Sequence, residues 1–84
     1  MVKLVYFAWV RERIGMAEET VEVPPGITTV AELAAWLATR APGYAAAFAK
    51  PEVVRAAIDH SHVKPQSPIA GAREIAFFPP ITGG

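Results

Sequence analysis

The chain has 84 residues, enough for one small domain. Its eight lysine and arginine residues balance eight aspartate and glutamate residues, so no net charge indicates a nucleic acid or an anionic membrane as partner. The absence of cysteine excludes disulfides, thiolate metal sites and a cysteine nucleophile, and favours a cytoplasmic protein. No apolar stretch is long enough to cross a membrane.

The first apolar run, residues 2–9, predicts a buried strand because it is short and rich in β-branched and aromatic side chains. Side chains alternate along a strand, so if Lys3 faces solvent, Val5 and Phe7 share its face. The opposite, core face then takes Val2, Leu4, Tyr6 and Ala8. Two apolar side chains are therefore expected on an open face of the sheet.

Next along the chain, residues 10–14 suit one helical turn that ends at Gly15, and the alternation in residues 19–23 predicts a half-buried strand. The segment Pro24–Gly26 suits a turn. Thr29 followed by Glu32 is a capping box, the best helix signal in the sequence. This helix is expected to run to about Arg40 and to be closed by Pro42 and Gly43.

The second half predicts shorter elements. Residues 44–49 suit a short helix, residues 53–58 a third strand, and Val63 an edge strand. The apolar and aromatic residues 74–78 predict the last strand, which Pro79 and Pro80 end.

This order of elements predicts an α+β fold with a mixed sheet of four to five strands, covered on one face by one main helix. Because the first and last strands carry the strongest apolar runs, we expect them side by side at the sheet centre. That is the β-grasp, or ubiquitin-like, arrangement. The predicted organisation is a β-grasp domain over residues 1–78 and an extended C-terminal tail over residues 79–84, ending in Gly-Gly.

Asp59, His60, Ser61 and His62 form the one cluster of conventional catalytic residue types. In an extended segment the two imidazoles would share a face, but no third metal ligand is identifiable and Ser61 would point away from both. The favoured interpretation is a polar strand end and turn, with no metal site. The sequence also lacks nucleotide-binding loops and zinc protease motifs.

The C-terminal residues offer a different chemistry. The prolines at 79 and 80 favour an extended stalk, and Gly83 and Gly84 lack side chains, so the tip can enter a narrow channel in another protein. The Gly84 carboxylate then becomes the reacting group, which a separate enzyme can activate as an acyl-adenylate. With sulfur as nucleophile the product is a C-terminal thiocarboxylate.

The tail FFPPITGG and the opening VKLVYFAWVRERIG resemble those of the molybdopterin synthase small subunit family, sulfur carriers of molybdenum cofactor biosynthesis. The resemblance implies a β-grasp fold and a heterotetramer of two small and two large subunits. The inserted tail would comprise Pro79, Pro80, Ile81, Thr82, Gly83 and Gly84. The Gly84 thiocarboxylate would donate sulfur to cyclic pyranopterin monophosphate, and two transfers would build the dithiolene.

The resemblance further implies that Phe7 and Phe78 bind the large subunit. It implies no active site and no bound cofactor in this chain, since a separate ubiquitin-activating-like enzyme uses ATP for the adenylation and a sulfur donor completes the 1-thioglycine. The chain departs from the family at residues 59–62, where members commonly carry Asn-Gln and then an apolar residue in place of His62. Two alternatives stay open: a sulfur carrier for thiamine, thiolated tRNA or cysteine, and a ubiquitin-like interaction module.

Overall fold

Two parallel strands form the centre of the sheet in the computed structural model, which describes residues 1–80. The strands are β1 (Val2–Tyr6), β2 (Glu18–Val21), β3 (Arg55–Ile58), β4 (Ser61–Val63) and β5 (Glu74–Phe78). The helices are α1 (Ala8–Ile14), α2 (Val30–Ala38) and α3 (Pro42–Ala47), with a 3-10 turn at Pro51–Val53. Among residues 1–80, each helix is too short or too polar to cross a membrane.

The strand order is β2-β1-β5-β3-β4, and only the β1–β5 pair is parallel. The first and last strands are therefore neighbours at the sheet centre, as the sequence predicts. The register pairs Leu4 with Ile75 and Tyr6 with Phe77. All four side chains are at most 1% exposed, so the alternation of β1 and β5 directs them into the core.

The helices pack against this core face of the sheet. Val10 of α1, Leu33 and Leu37 of α2 and Tyr44 of α3 belong to the same buried cluster as Leu4 and Tyr6. The predicted capping box begins α2: the Thr29 hydroxyl accepts from the Glu32 amide at 3.2 Å, and Glu32 Oε1 accepts from the Thr29 amide at 3.1 Å. The prediction of a mixed sheet covered on one face is thus confirmed.

Several sequence-based boundaries are wrong: the predicted elements at 19–23, 44–49 and 53–58 are Glu18–Val21, Pro42–Ala47 and Arg55–Ile58, and three further differences concern the ends of helices. The run 2–9 does not stay in the sheet, because Ala8 adopts a φ of +52° and starts α1, which leaves Ala8 exposed instead of buried. Helix α2 stops at Ala38, before Arg40. Pro42 does not close α2. It occupies the first turn of α3, where a backbone N–H would have no helical carbonyl as partner, so the N–H that proline lacks is not missed.

Glu19 is the polar member of the core-side row of β2. It pairs with Leu4 of β1 and its side chain is 15% exposed. Its carboxylate forms an ion pair with Arg40, with Oε1 3.2 Å from Nη1. Hydrogen bonds from Tyr6 and Tyr44 complete its surroundings, so a half-buried charge is held at the edge of the core.

Candidate functional site

The face of the sheet opposite the helices carries the two aromatic side chains predicted to bind a partner. The backbone amide of Phe7 donates to the carbonyl of Phe77 at 3.1 Å, which extends the β1–β5 pairing by one residue and sets Phe7 level with Phe78. Phe7 is 47% exposed, whereas Phe78 is half-buried. The two side chains therefore lie together at the end of the sheet from which the tail leaves.

Below this aromatic pair, one row of the open face consists of small apolar side chains, and the charged Lys3 and Glu18 lie beyond it. The register aligns Val5, Ala76 and Ala57 in one row across β1, β5 and β3. Ala57 is 7% exposed although it lies outside the core cluster. With Phe7 and Phe78, the row forms an apolar surface, and such surfaces mark protein contacts.

Polar side chains border this surface on the β4 side. The imidazole of His62 packs on the ring of Phe78, with centroids 5.2 Å apart. Arg55, which the register pairs with Phe78, lines a hollow together with His62, Phe78 and Pro80. The departure from the family pattern at His62 thus falls directly beside one of the two predicted interface residues.

The base of the tail contacts the body of the domain. Pro79 and Pro80 are half-buried and line a second hollow with Trp9, Arg13 and Lys50. The guanidinium carbon of Arg13 lies 4.4 Å from the centroid of the Trp9 ring. The two prolines, for which the sequence predicts an extended stalk, therefore leave the sheet in contact with α1 and with the end of α3.

Ile81, Thr82, Gly83 and Gly84, predicted to enter a partner and to carry the reacting carboxylate, lie outside the described residues. Their predicted roles stay predictions. The structure describes the surface from which they depart, formed by Phe7, Phe78 and the two prolines.

The polar cluster at 59–62 forms a β-hairpin turn. Asp59 and His60 have φ values of +47° and +74°, and they connect Ile58 to its pairing partner Ser61. Asp59 Oδ1 accepts from the amides of Arg73 and Glu74, at 3.1 and 2.9 Å. The interpretation as a strand end and turn is confirmed. Within residues 1–80 no group of three histidine, aspartate or glutamate side chains is placed to hold a metal ion.

Sequence reasoning missed the contribution of α1, α3 and β3 to the tail base. Trp9 and Arg13 stand four residues apart, the spacing that brings two side chains together on a helix, and this signal could have identified their pair. Lys50 and Arg55 carry no comparable pattern. Only the fold brings them to the two sides of Pro80.

Two curated relatives align with this chain over its full 84 residues and over 100% of their own length. One is the molybdopterin synthase sulfur carrier subunit of Escherichia coli (strain K12), at 34% identity. The other is the protein of the same name from Haemophilus influenzae, at 31% identity. The similarity extends from the first strand through the Gly-Gly tail.

Two solved structures superpose on the fold described above. SAMP1 from Haloferax volcanii superposes with a TM-score of 0.70 at 22% identity, covering 99% of this chain and 98% of that one. A putative molybdopterin converting factor, subunit 1, from Pyrococcus furiosus gives 0.72 at 24% identity, covering 95% and 97%. The fold is the predicted ubiquitin-like β-grasp. Since the ThiS family model also matches residues 4–84, almost the entire sequence, the chain belongs to the ThiS family.

Proposed function

We propose that this chain is a sulfur carrier and acts as the small subunit of molybdopterin synthase. In this proposal the Gly84 carboxylate is adenylated, converted to a thiocarboxylate, and donates its sulfur to cyclic pyranopterin monophosphate. A large subunit receives residues 79–84 and contacts Phe7 and Phe78. The observation that carries the proposal is the full-length similarity to two proteins named as molybdopterin synthase sulfur carrier subunits.

The chemistry balances without a catalytic side chain from this domain. A carboxylate oxygen of Gly84 attacks the α-phosphorus of ATP, and pyrophosphate leaves. Hydrosulfide from the donor system then attacks the acyl carbon, and AMP leaves with the bonding electron pair. The thiocarboxylate sulfur then bonds to a substrate carbon while an oxygen substituent leaves that carbon with its bonding electron pair. Water finally cleaves the acyl–sulfur bond and restores the Gly84 carboxylate. The proposed role of the domain is to present this one group.

The described surface supports presentation of a tail to a partner. Phe7 is one of three large apolar side chains that stand exposed within residues 1–80, and it lies where the tail departs. The amide of Phe7 is hydrogen bonded to Phe77, so this aromatic residue is anchored to the central strand pair. A partner that covers Phe7 would therefore meet the tail in a fixed orientation.

Intact mass spectrometry tests the carrier chemistry directly. The chain is incubated with ATP, an adenylating enzyme of the ubiquitin-activating type and sulfide, beside a control that lacks Gly84. We expect the mass to rise by the difference between sulfur and oxygen in the full chain only. An unchanged full chain beside an E. coli carrier subunit that becomes thiolated would contradict the proposal.

A second candidate is a sulfur carrier for another acceptor, because the matching model describes the ThiS family as a whole. The loaded chain separates the two candidates. Mixed with a molybdopterin synthase large subunit and cyclic pyranopterin monophosphate, it should lose its sulfur and yield dithiolene. Retention of the sulfur by a carrier that binds the large subunit would favour the other acceptor.

A further inference from the structure

Among residues 1–80, cations, apolar groups and one histidine line the two hollows at the base of the tail. On one side of Pro80 the hollow contains the charged side chains of Arg13 and Lys50, and on the other side that of Arg55 with the imidazole of His62. No carboxylate from residues 1–80 lines either hollow. We name Arg13, Lys50 and Arg55 the cationic collar.

The collar groups three cations around one segment, although the chain as a whole has equal numbers of acidic and basic residues. Two cations elsewhere on the domain are paired: Lys3 lies 2.8 Å from Glu18 and Arg40 lies 3.2 Å from Glu19. Within residues 1–80, Arg11, Lys64 and Arg73 form no ion pair either, so position around the tail base, and not the lack of a partner, distinguishes the collar. None of the three collar residues forms an ion pair with any other residue in the range 1–80. Their charge is therefore available to an outside group.

Arg55 has one acidic neighbour along a separate hollow. Glu52 lines that hollow with Arg55 and Lys64, and neither cation forms an ion pair with it. Glu52 therefore forms no ion pair with the collar, and one further cation, Lys64, lies in the same hollow.

Arg13 is held in place before any partner arrives. Its guanidinium lies over the Trp9 ring at 4.4 Å, a cation–π contact that restricts the side chain. A partner group that binds it loses less side-chain entropy than one that must order a free arginine.

The reach of the tail separates the collar from the reacting atom. Four extended residues after Pro80 span at most about 14 Å. A protein that draws in residues 81–84 as an extended segment would hold the Gly84 carbonyl well inside, while its outer surface meets the collar. An anion that binds the collar therefore belongs to the rim of the receiving channel.

We propose that the cationic collar docks against an acidic rim, made of aspartate and glutamate side chains, around the channel of the molybdopterin synthase large subunit that receives the tail. This inference rests on the proposed function. The apolar row and the two phenylalanines provide the contact area, and the collar steers and orients the approach. Such rim charges mainly change the association rate and its dependence on salt.

Stopped-flow association with a large subunit tests the collar. Arg13→Glu, Lys50→Glu and Arg55→Glu are measured singly, each against Arg73→Glu. Arg73 is an exposed arginine next to Glu74, at the opposite end of β5, and likewise forms no ion pair within residues 1–80. Each variant changes the net charge by the same amount, so only the position of the charge differs.

At low salt we expect each collar variant to associate about three- to tenfold more slowly than Arg73→Glu, with the difference disappearing at high salt. Dissociation rates should change little. Equal association rates for collar and control variants would overturn the proposal. If a collar reversal unfolds the chain, the neutral variants Arg13→Gln, Lys50→Gln and Arg55→Gln should show the same order with smaller effects.

Failure of the proposed function would look different, because wild-type chain would then bind no large subunit at any salt concentration. A short single-stranded oligonucleotide serves as the competing ligand. Its binding by wild type and loss in the collar variants, with unchanged association to the large subunit, would assign the collar to nucleic acid and overturn the proposal.

Discussion

The hydroxyl groups of Tyr6 and Tyr44 donate hydrogen bonds to the same oxygen, Oε2 of Glu19, at 2.7 and 2.6 Å. Their rings meet edge to face, with centroids 6.5 Å apart. One carboxylate on β2 thus connects the central strand β1 to helix α3. Since α3 ends three residues before Lys50, this network also positions one side of the tail base.

We expect Tyr44→Phe to lower the free energy of unfolding by about 1–2 kcal/mol, because it removes a hydrogen bond to a half-buried carboxylate. Glu19→Gln should lower the free energy of unfolding more, by about 2–3 kcal/mol, since it removes the negative charge that all three partners of Glu19 contact. Urea unfolding at pH 7 measures both. Glu22→Gln, at an exposed position on the same segment, is the control and should change stability by less than about 0.5 kcal/mol.

The same network predicts a pH dependence. Burial alone would raise the pKa of Glu19, but hydrogen bonds from Tyr44, Tyr6 and Arg40 outweigh it and hold the pKa below its ordinary value. The stabilisation is therefore complete above the unfolded-state pKa, near 4.3, and is lost as the pH falls through the lower folded-state value. Wild type should lose stability more steeply than Glu19→Gln between about pH 5 and pH 3. Parallel curves would contradict this assignment.

Gly43 of α3 lies close to the backbone of α1. A Cβ atom at this position would lie 2.5 Å from the backbone oxygen of Arg13, and backbone cannot move as a side-chain end can. We expect Gly43→Ala to destabilise the protein by about 1–3 kcal/mol, despite the better helix propensity of alanine. Thermal unfolding measures the loss, which should appear as a fall in Tm.

Ala45→Gly is the matched comparison for Gly43→Ala. It lies exposed on the same helix, so its cost of about 1 kcal/mol reports helix propensity alone. A Gly43→Ala variant as stable as wild type would show that α1 and α3 can separate without cost.

Phe7 and Phe77 are adjacent in space but should have opposite effects when replaced. Phe7→Ala should change the free energy of unfolding by less than about 1 kcal/mol because the side chain is 47% exposed. It should weaken binding of the large subunit at least about tenfold, as expected for an aromatic residue at the centre of an interface.

Phe77→Ala, in contrast, should cost about 3–5 kcal/mol of stability, because Phe77 is 1% exposed and packs on Tyr6 and Phe48. Isothermal titration with the large subunit and urea unfolding of each variant separate the two effects. Unchanged affinity of Phe7→Ala would remove Phe7 from the proposed interface.

The sheet was predictable because strong local signals coincide with it. The alternation around Lys3 correctly assigned the two faces up to Phe7, and the Thr29–Glu32 pair fixed the start of α2. The end of β1 was not predictable, since Ala8 takes its positive φ without being glycine or asparagine. The sequence offers no local mark where tertiary packing imposes the turn.

The polar network and the cationic collar could likewise be predicted from the sequence only in part. Period two places Glu19 on the same face as Val21, a signal for its inward side chain that is visible in the sequence. Its partners Arg40 and Tyr44 lie more than twenty residues away, and only the fold brings them together. Arg13, Lys50 and Arg55 are likewise spread over three elements or their ends.

The hairpin turn between β3 and β4 should be improvable. Asp59 and His60 both have positive φ, the conformation of a two-residue turn that favours Asn-Gly or Asp-Gly. Only glycine adopts such a φ without steric cost, so His60→Gly is expected to stabilise the protein by about 0.5–1 kcal/mol. This corresponds to a rise of several degrees in Tm for a domain of this size.

Ser61→Gly, one residue later, provides the contrast. Ser61 lies in β4 and pairs with Ile58, so glycine there should lower Tm, because it adds backbone freedom to a strand. Asp59 must be kept in both variants, since Oδ1 accepts two backbone hydrogen bonds from the start of β5. A fall in Tm for His60→Gly comparable to that for Ser61→Gly would show that the contact of His60 Nε2 with the Glu74 carboxylate, at 3.9 Å, outweighs the strain of its backbone.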